Sequence, residues 1–299
     1  MASQTLPEHS ALPISRDGTC DLPDGRTLSY GLYGATDGPV VVVVDGPGSR
    51  GLGRAAAAAA DALGIVLLVP DRPGFADSTP TPGRSIRAVG EDLLDLVRAL
   101  EFRRFGILAQ SGGTPYGLAL AGAGKDDVTG LAFIGGISPL GERDALQDVS
   151  GNMRVTFKLA RRMPWLLPPL IGAVARKTMK DPEAAARAYA KEMPDADRAA
   201  LEDPTMWAIH TVTSAEAVSA PAAFAREARL LAEPWNLDLD LISAPVAFWV
   251  GELDPTHPPI MSQRMAKRLG GAPVTIVPGA ATFGMLPVYP DALRHAAAL

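Results

Sequence analysis

The sequence predicts an α/β protein in which helices cover both faces of a mostly parallel central sheet and a helical cap is inserted near mid-chain. In residues 1–140, short apolar runs alternate with helical patterns, and this alternation returns in residues 237–299. Between them, residues 141–236 carry only helical patterns broken by prolines. Such alternation is typical of a parallel sheet with right-handed crossovers. We therefore expect one core built from the two outer parts and a helical cap over the carboxyl ends of the strands.

The strands are predicted from apolar runs and the turns that flank them. Val40–Val44 consists of five consecutive valines, which only a strand covered on both faces hides from water. Asp24 and Gly25 form a turn signal before the alternating pattern of residues 27–33, which predicts an antiparallel hairpin at the sheet edge. Further strands are predicted at 65–69, 106–109, 128–134, 245–250 and 274–277.

The helices of the core are predicted where apolar residues recur at helical spacing. The clearest pattern spans residues 85–100, where the apolar side chains share one face and Glu91, Asp92 and Asp95 are expected to point away from it. The other predicted core helices are 54–63, 116–123, 260–269 and a last helix from Asp291.

Composition limits the function classes. The chain has 299 residues, of which 47% are hydrophobic, and a formal net charge of -5. It offers no basic field for nucleic acid, so the expected partner is a small molecule. Cys20 is the only cysteine, which excludes an internal disulfide. The sequence shows no secretory signal, no apolar run that would cross a membrane, no metal cluster and no cofactor fingerprint, so we expect a cofactor-independent cytoplasmic protein.

Ser111 lies between a predicted strand and a predicted helix. Ala109 precedes it by two positions, and Gly112 and Gly113 follow it directly. Small neighbours allow a sharp turn that exposes the serine hydroxyl, and the following helix directs amide N–H groups at a reacting oxygen. These features are typical of a nucleophile elbow. The alternative is a serine that merely caps the helix.

Four motifs resemble, in sequence order, those of the α/β-hydrolase fold superfamily, especially its capped epoxide-hydrolase, haloperoxidase and proline-iminopeptidase-like members. They are Gly46-Pro47-Gly48-Ser49-Arg50, Asp71-Arg72-Pro73-Gly74-Phe75 with Ser78, the elbow at Ser111, and Gly251-Glu252-Leu253-Asp254-Pro255 with Pro258. The resemblance covers nearly the whole chain. It implies an oxyanion loop at the first motif, a nucleophile at Ser111 and a catalytic acid at Asp254. The Asp-Pro pair at Asp254 is also ordinary turn chemistry after a strand.

The histidine that this resemblance implies is missing. In the superfamily the acid orients a histidine that deprotonates the serine, in the chain order serine, acid, histidine. It is expected in the loop 278–284, where this chain has Thr282 instead. A threonine hydroxyl cannot act as a base near neutral pH. Without a base Ser111 stays a weak nucleophile, so ordinary ester hydrolysis is expected to be severely impaired.

The oxyanion loop shows a second departure. The resembling families have His-Gly before the next glycine and proline, whereas this chain has Val44, Asp45, Gly46 and Pro47. We still expect the backbone N–H groups of Gly46 and Gly112 to converge on a substrate oxygen. A carboxylate at Asp45 would disfavour negative charge there if it points inward, and an outward, solvated carboxylate is the alternative.

Four histidines are available to replace the missing base. His257 is the best candidate because it lies beside Asp254, although a base normally comes from a separate loop that faces the serine. His210 lies in the predicted cap, where a lone histidine is more often structural than catalytic. His9 and His295 are near the termini, and His295 is explained as a favourable cation in the last helical turn.

The predicted cap is rich in large apolar side chains. They are Met153, Phe157, Met163, Trp165, Met206, Trp207 and Phe224. Most are expected to pack against the core, and a minority to line a pocket suited to a bulky apolar substrate. Trp207 and His210 are our candidates for substrate contacts in the cap.

Three functions remain open. The departures at Asp45 and Thr282 favour a non-hydrolytic enzyme that performs addition, elimination, cyclisation or carbon–carbon bond formation. In that case Ser111 would donate a hydrogen bond, Asp254 or Asp45 would accept a proton and Thr282 would position the substrate. A role in bacterial natural-product biosynthesis would follow by analogy alone. The second function is a serine hydrolase of esters, lactones or amides with His257 or another group as base. The third is a binding protein without catalysis.

Overall fold

The computed structural model describes residues 12–142, 145–147, 149 and 151–299. Its strands are β1 Arg16–Asp21, β2 Thr27–Gly34, β3 Val40–Val44, β4 Val66–Pro70, β5 Phe105–Ser111, β6 Val128–Gly136, β7 Val246–Gly251 and β8 Val274–Val277. They form one eight-stranded sheet in the order β1-β2-β4-β3-β5-β6-β7-β8. All neighbours from β4 to β8 pair in parallel, while β2 is antiparallel to both β1 and β4. The predicted, mostly parallel α/β sheet is confirmed.

The predicted hairpin at the start of the sheet is present, with one difference. Asp24 and Gly25 lie in the turn between β1 and β2, and Asp21 pairs with Thr27 across the hairpin. Of these two strands, only β1 lies at an edge of the sheet, because β2 also pairs with β4.

Helices flank the strands as the alternation predicts. They are α1 Gly51–Ala62, α2 Ile86–Ala99, α3 Thr114–Gly124, α4 Gly151–Arg162, α5 Leu167–Lys180, α6 Pro182–Ala190, α7 Asp195–Ala200, α8 Pro204–Ser219, α9 Pro221–Ala232, α10 Pro259–Arg268 and α11 Tyr289–Ala297. Helices α4 to α9 all lie between β6 and β7, within the segment where the sequence predicts a cap. We call these six helices the helical insertion. No helix in the described part of the chain is both long and apolar enough to cross a membrane.

The sheet is buried on both faces, which explains the valine run. Val40, Val42 and Val44 of β3 pack in the apolar cluster that contains residues of α2 and α3. Val41 and Val43 point the other way, into the cluster that contains residues of α1 and α11. A strand that is covered on both sides has no polar face, so its sequence does not alternate.

Asp92 does not point away from the core, as the helical pattern predicted. Its side chain is buried beside the hairpin, and Arg26 Nη1 and Nη2 donate to its two oxygens at 2.7 and 2.5 Å. The prediction was wrong because a bidentate arginine from another element compensates the buried charge, and this partner is invisible in the periodicity of α2.

Candidate active site

Ser111 occupies a sharp turn between β5 and α3. Its φ of 52° lies in the left-handed region, which is costly for a residue with a side chain. A Cβ on Gly113 would lie 1.9 Å from the carbonyl oxygen of Val44, so only glycine allows this close approach. The N-cap of α3 is Gly113, with no side-chain hydrogen bond, so Ser111 does not cap the helix. The turn therefore has the geometry of a nucleophile elbow.

Asp254 lies in the loop after β7 and is 4% exposed. Its Oδ1 accepts hydrogen bonds from the backbone N–H groups of Thr256 and His257, at 2.8 and 2.9 Å. Its Oδ2 lies 2.9 Å from Nδ1 of His257 and accepts a hydrogen bond of 2.9 Å from the Thr282 hydroxyl. Burial raises the pKa of Asp254, but its contacts with His257 and Thr282 outweigh burial and hold the pKa below its usual range. Asp254 is thus held as a carboxylate.

The imidazole of His257 is fixed in a buried position. A Cβ on Gly135, at the end of β6, would lie 3.1 Å from the ring, so the ring packs directly on this glycine. His257 is 4% exposed, and its Nε2 has no hydrogen-bond partner within the described residues. Because Nδ1 faces the Asp254 carboxylate, the proton of a neutral ring resides on Nδ1 and Nε2 carries the lone pair.

Two cavities meet at Ser111 and His257. The inner cavity, of about 130 Å³, also contacts Gly112 and is lined mainly by apolar side chains. These include Ile137, Leu140, Phe157, Phe224, Leu231 and Met261. The outer cavity, of about 650 Å³, lies between the oxyanion loop, the helical insertion and the loop of Thr282, and it has more polar walls. Both residues therefore face the space in which a substrate would bind.

The side chain of Asp45 is buried and points back towards its own loop. Its Oδ2 accepts hydrogen bonds from Ser49 Oγ at 2.7 Å and from the backbone N–H of Leu52 at 2.8 Å, which anchors the start of α1. Its Oδ1 accepts the backbone N–H of Gly46 at 2.6 Å. Asp45 also lines the outer cavity. The amide of Gly46, which we expected to be available to a substrate oxygen, is therefore engaged by the adjacent carboxylate.

The guanidinium of Arg72 fixes the backbone of the oxyanion loop through two carbonyl oxygens. Its Nη1 and Nη2 donate to the carbonyl oxygens of Asp45 and Gly46 at 2.9 and 2.7 Å. The same guanidinium binds both oxygens of Glu227 in α9, and Arg84 Nη2 lies 3.1 Å from Glu227 Oε1. Glu227 is fully buried. The motif around Arg72 does not predict this role, since the partner Glu227 is 155 positions away.

His210 is part of an aromatic cluster on the wall of the outer cavity. Its ring centroid lies 5.8 Å from that of Tyr189 and 5.3 Å from that of Phe283. Its Nε2 lies 3.3 Å from the carbonyl oxygen of Ala186, and its Nδ1 lies 3.5 Å from Ser214 Oγ. Burial lowers the pKa of His210, which the hydrogen bond to Ala186 opposes. Both ring nitrogens have partners, so His210 is suited to packing rather than to proton transfer.

Trp207 does not lie where we expected. It is not among the described residues that line either cavity, and its indole Nε1 donates to Glu183 at 2.9 Å. Of the other apolar residues singled out, Met163 and Trp165 are 41% and 67% exposed, whereas Met153, Phe157, Phe224 and Met206 line a cavity. Helical position alone does not tell which face of the insertion meets the core.

Neither of the two remaining histidines is among the described residues that line the cavities. His9 lies outside the described residues, and His295 lies in α11 with Nε2 3.2 Å from the Pro245 carbonyl.

Asp197 of α7 makes a contact with the loop of Thr282 that the sequence did not predict. Its carboxylate is 3% exposed and accepts the backbone N–H of Phe283 at 2.7 Å, so it ties the helical insertion to the loop of Thr282. Burial raises the pKa of Asp197, which the backbone N–H groups of Phe283 and its neighbours oppose. In the sequence Asp197 is marked only as an acidic residue in a short helix, which does not reveal this contact.

Within the described residues, no three His, Cys, Asp or Glu side chains are placed to hold a metal ion.

A mostly parallel sheet of this order, with a strained serine at the end of β5 and an acid after β7, defines a class of proteins, the α/β hydrolases. The model of the alpha/beta hydrolase family matches residues 35–296, and the chain belongs to this family. Members of the family act on small molecules. No curated protein matches the chain in sequence.

Several solved structures share the fold over almost the whole chain. An alpha/beta hydrolase fold protein from Nakamurella multipartita is 24% identical, with a TM-score of 0.64 over 95% of this chain and 99% of that one. A thermophilic esterase from Thermogutta terrifontis is 21% identical, with a TM-score of 0.63 over 95% and 96%. An enol-lactonase from Burkholderia xenovorans is 20% identical, with a TM-score of 0.63 over 92% and 99%. Identities this low establish the shared fold alone.

Proposed function

We propose that this protein is a serine hydrolase of carboxylic esters or lactones, with Ser111 as nucleophile, His257 as base and Asp254 as the acid that orients the base. One observation carries the proposal. Nδ1 of His257 lies 2.9 Å from Asp254, while its Nε2 is buried, without a hydrogen-bond partner in the described chain, and belongs to a residue that lines the same cavities as Ser111. A buried nitrogen without a partner is costly unless substrate or nucleophile supplies one.

The reaction follows from these roles. His257 Nε2 takes the hydroxyl proton of Ser111 as Oγ attacks the substrate carbonyl carbon, and the carbonyl oxygen becomes an oxyanion. The backbone N–H of Gly112, just before α3, supports this oxyanion. The imidazolium then returns its proton to the leaving oxygen, which leaves Ser111 acylated. A water deprotonated by His257 releases the acid and restores Ser111. The carboxylate of Asp254 stabilises the imidazolium in both steps.

The loop after β7 supplies both acid and base in this proposal, so Thr282 has a different task. Its hydroxyl donates to Asp254 Oδ2, which is the oxygen that also faces His257. A hydrogen bond to a carboxylate favours its ionised form. Thr282 thus positions and stabilises the acid and need not act as a base.

A fluorophosphonate probe tests the proposal, because it forms a covalent bond only with an activated serine. Intact-mass measurements would compare the unmodified protein with Ser111→Ala, His257→Gln and Thr282→His. We expect one label on the unmodified protein, none on Ser111→Ala and very slow labelling of His257→Gln. Equal labelling of His257→Gln and the unmodified protein would refute the role of His257.

The second candidate is a non-hydrolytic enzyme, and one observation favours it. The Gly46 N–H is engaged by Asp45 Oδ1, which leaves the oxyanion site short of a donor and adds a carboxylate beside it. Addition, elimination, cyclisation or carbon–carbon bond formation in natural-product biosynthesis would then use Asp45 or Asp254 as proton acceptor. Absence of labelling in the unmodified protein, with labelling gained in Thr282→His, would select this candidate over the hydrolase.

A further inference from the structure

We propose that the substrate joins a compact apolar acyl group to an alcohol that carries a cationic amino group. The acyl group occupies the inner cavity and the cationic group the outer cavity. This inference rests on the proposed hydrolase function and adds the substrate class. It rests on two observations: the two cavities are lined by different kinds of side chain, and the buried carboxylates of the outer cavity lack the arginine partners found elsewhere in the described structure.

Buried carboxylates elsewhere in the protein are paired with arginine. Asp71 binds Arg50, and Asp92 binds Arg26. Glu227 binds Arg72 and Arg84. Each pairing offsets the cost of removing a negative charge from water.

The buried carboxylates at the outer cavity lack such partners. Asp45 and Asp197 line the cavity, and neither forms an ion pair with lysine or arginine within the described residues. Asp254 accepts a hydrogen bond from Thr282, which lines the cavity, and among the described residues His257 alone is its ionic partner. The exposed Glu192 adds a further carboxyl group to the wall. Acidic groups in a low-dielectric cleft attract cations and repel anions.

The rest of the outer cavity is also suited to a cation. No arginine or lysine is found among its described lining residues. Tyr189 and Phe283 contribute aromatic rings to the wall, and ring faces attract ammonium groups.

The inner cavity has no acidic lining residue among those described and is closed by aliphatic and phenylalanine side chains. A carboxylic acyl group that remains bound to Ser111 between the two half-reactions fits this enclosed apolar space. The leaving alcohol must reach solvent, and the exposed Glu192 shows that the outer cavity opens to it. His257 lines both cavities and so lies at their junction, where its Nε2 can protonate that leaving group.

Three thioesters that share a butyryl group test the inference. They are butyrylthiocholine, its neutral isostere 3,3-dimethylbutyl thiobutyrate and the anionic butyryl thioester of 3-mercaptopropionate. We expect kcat/KM for the cationic thioester to exceed that of the neutral one roughly tenfold or more, and to fall as salt is added. The anionic thioester should be the slowest. Equal rates for the cationic and neutral thioesters would overturn the inference and leave the hydrolase proposal intact.

Variants show whether the carboxyl groups are the cause. The ratio of the two rates, cationic over neutral, should fall towards one in Glu192→Gln with Asp197→Asn. It should be unchanged in Asp195→Asn, since Asp195 is an exposed residue of the same helix that is not among the described lining residues. A ratio within each variant cancels any general loss of activity. An undiminished ratio in the double variant would contradict the assignment.

A binding measurement separates this inference from the proposed function. Calorimetry with Ser111→Ala measures affinity for butyrylthiocholine and for its neutral isostere without hydrolysis. If no thioester is hydrolysed and no serine is labelled, the hydrolase proposal fails, and the affinity ratio still reports the preference for a cation. Equal affinities would overturn the cation preference whatever the chemistry at Ser111.

Discussion

Nδ1 of His257 lies 2.9 Å from Oδ2 of Asp254, although the two residues are only three positions apart in one loop. The same loop also bonds Asp254 Oδ1 through the N–H groups of Thr256 and His257. A single local turn therefore holds the acid, orients the imidazole and leaves Nε2 without a hydrogen-bond partner in the described chain, in a residue that lines both cavities. Thr282, which lies where the sequence resemblance implies a histidine, donates a hydrogen bond to the same carboxylate.

Substitution of His257 should remove most of the activity. His257→Gln leaves a similar volume but no base, so we expect kcat/KM to fall about 10²- to 10⁴-fold. Steady-state hydrolysis of a butyryl ester measures this. His295→Gln is the matched control, because His295 lies in α11 beside Pro245 and should keep its activity. Loss of less than tenfold in folded His257→Gln would place the base elsewhere.

We expect Thr282 to influence hydrolytic activity only through its hydroxyl group. Thr282→Val removes one hydrogen bond to the Asp254 carboxylate, so the pKa of Asp254 should rise. The acid limb of the pH–rate profile belongs to the coupled Asp254–His257 pair and should move to higher pH. We expect kcat/KM to fall about tenfold, since a hydrogen bond to a charged group contributes about 1.5 kcal/mol. Thr282→Ser keeps the hydroxyl and should retain the original profile. Identical profiles for Val and Ser would exclude this role.

Asp45 should be needed for stability more than for proton transfer. Asp45→Ala removes the acceptor for the Leu52 N–H and the Ser49 hydroxyl, so unfolding in urea should become easier by about 0.5–2 kcal/mol. Asp45→Asn keeps an acceptor and should retain most hydrolysis. A loss of 10²-fold or more in a folded Asp45→Asn would instead support the non-hydrolytic candidate, in which Asp45 accepts a proton.

The buried cluster of Arg72, Arg84 and Glu227 should be highly sensitive to loss of the Glu227 charge. Glu227→Gln removes the ion-pair partner of buried Arg72 and Arg84, and we expect about 3–5 kcal/mol of destabilisation. Thermal or urea unfolding measures it. Glu233→Gln is the control, because its pair with Arg229 is largely exposed and should contribute less than about 1 kcal/mol. Similar effects in both variants would show that the cluster is not effectively buried.

His210 should make stability depend on pH. Burial holds its pKa below the usual value in the folded protein, whereas the unfolded chain titrates near about 6.5. Below that pH the unfolded chain binds a proton that the folded chain resists, so stability is full above about 6.5 and falls as pH decreases. Urea unfolding at pH 7.5 and 5.5 should show a smaller loss for His210→Gln than for the unmodified protein. Parallel losses would contradict the prediction.

Local sequence patterns predicted most of the fold. The valine run required a strand buried on both faces, and β3 has apolar clusters on either side. Small residues around Ser111 required a sharp turn, and the structure has one with φ of 52°. The burial of Asp92 escaped prediction because its partner, Arg26, lies in a different element.

The sequence by itself determined the α/β alternation, the position of the helical insertion and the absence of a histidine from the loop 278–284, because periodicity and residue identity are properties of short segments. Only the tertiary structure decided that His257 faces the cavities, that Asp45 turns into its own loop and that Trp207 lies away from them. Side-chain direction depends on packing between segments far apart in the chain, as where the His257 ring rests on Gly135.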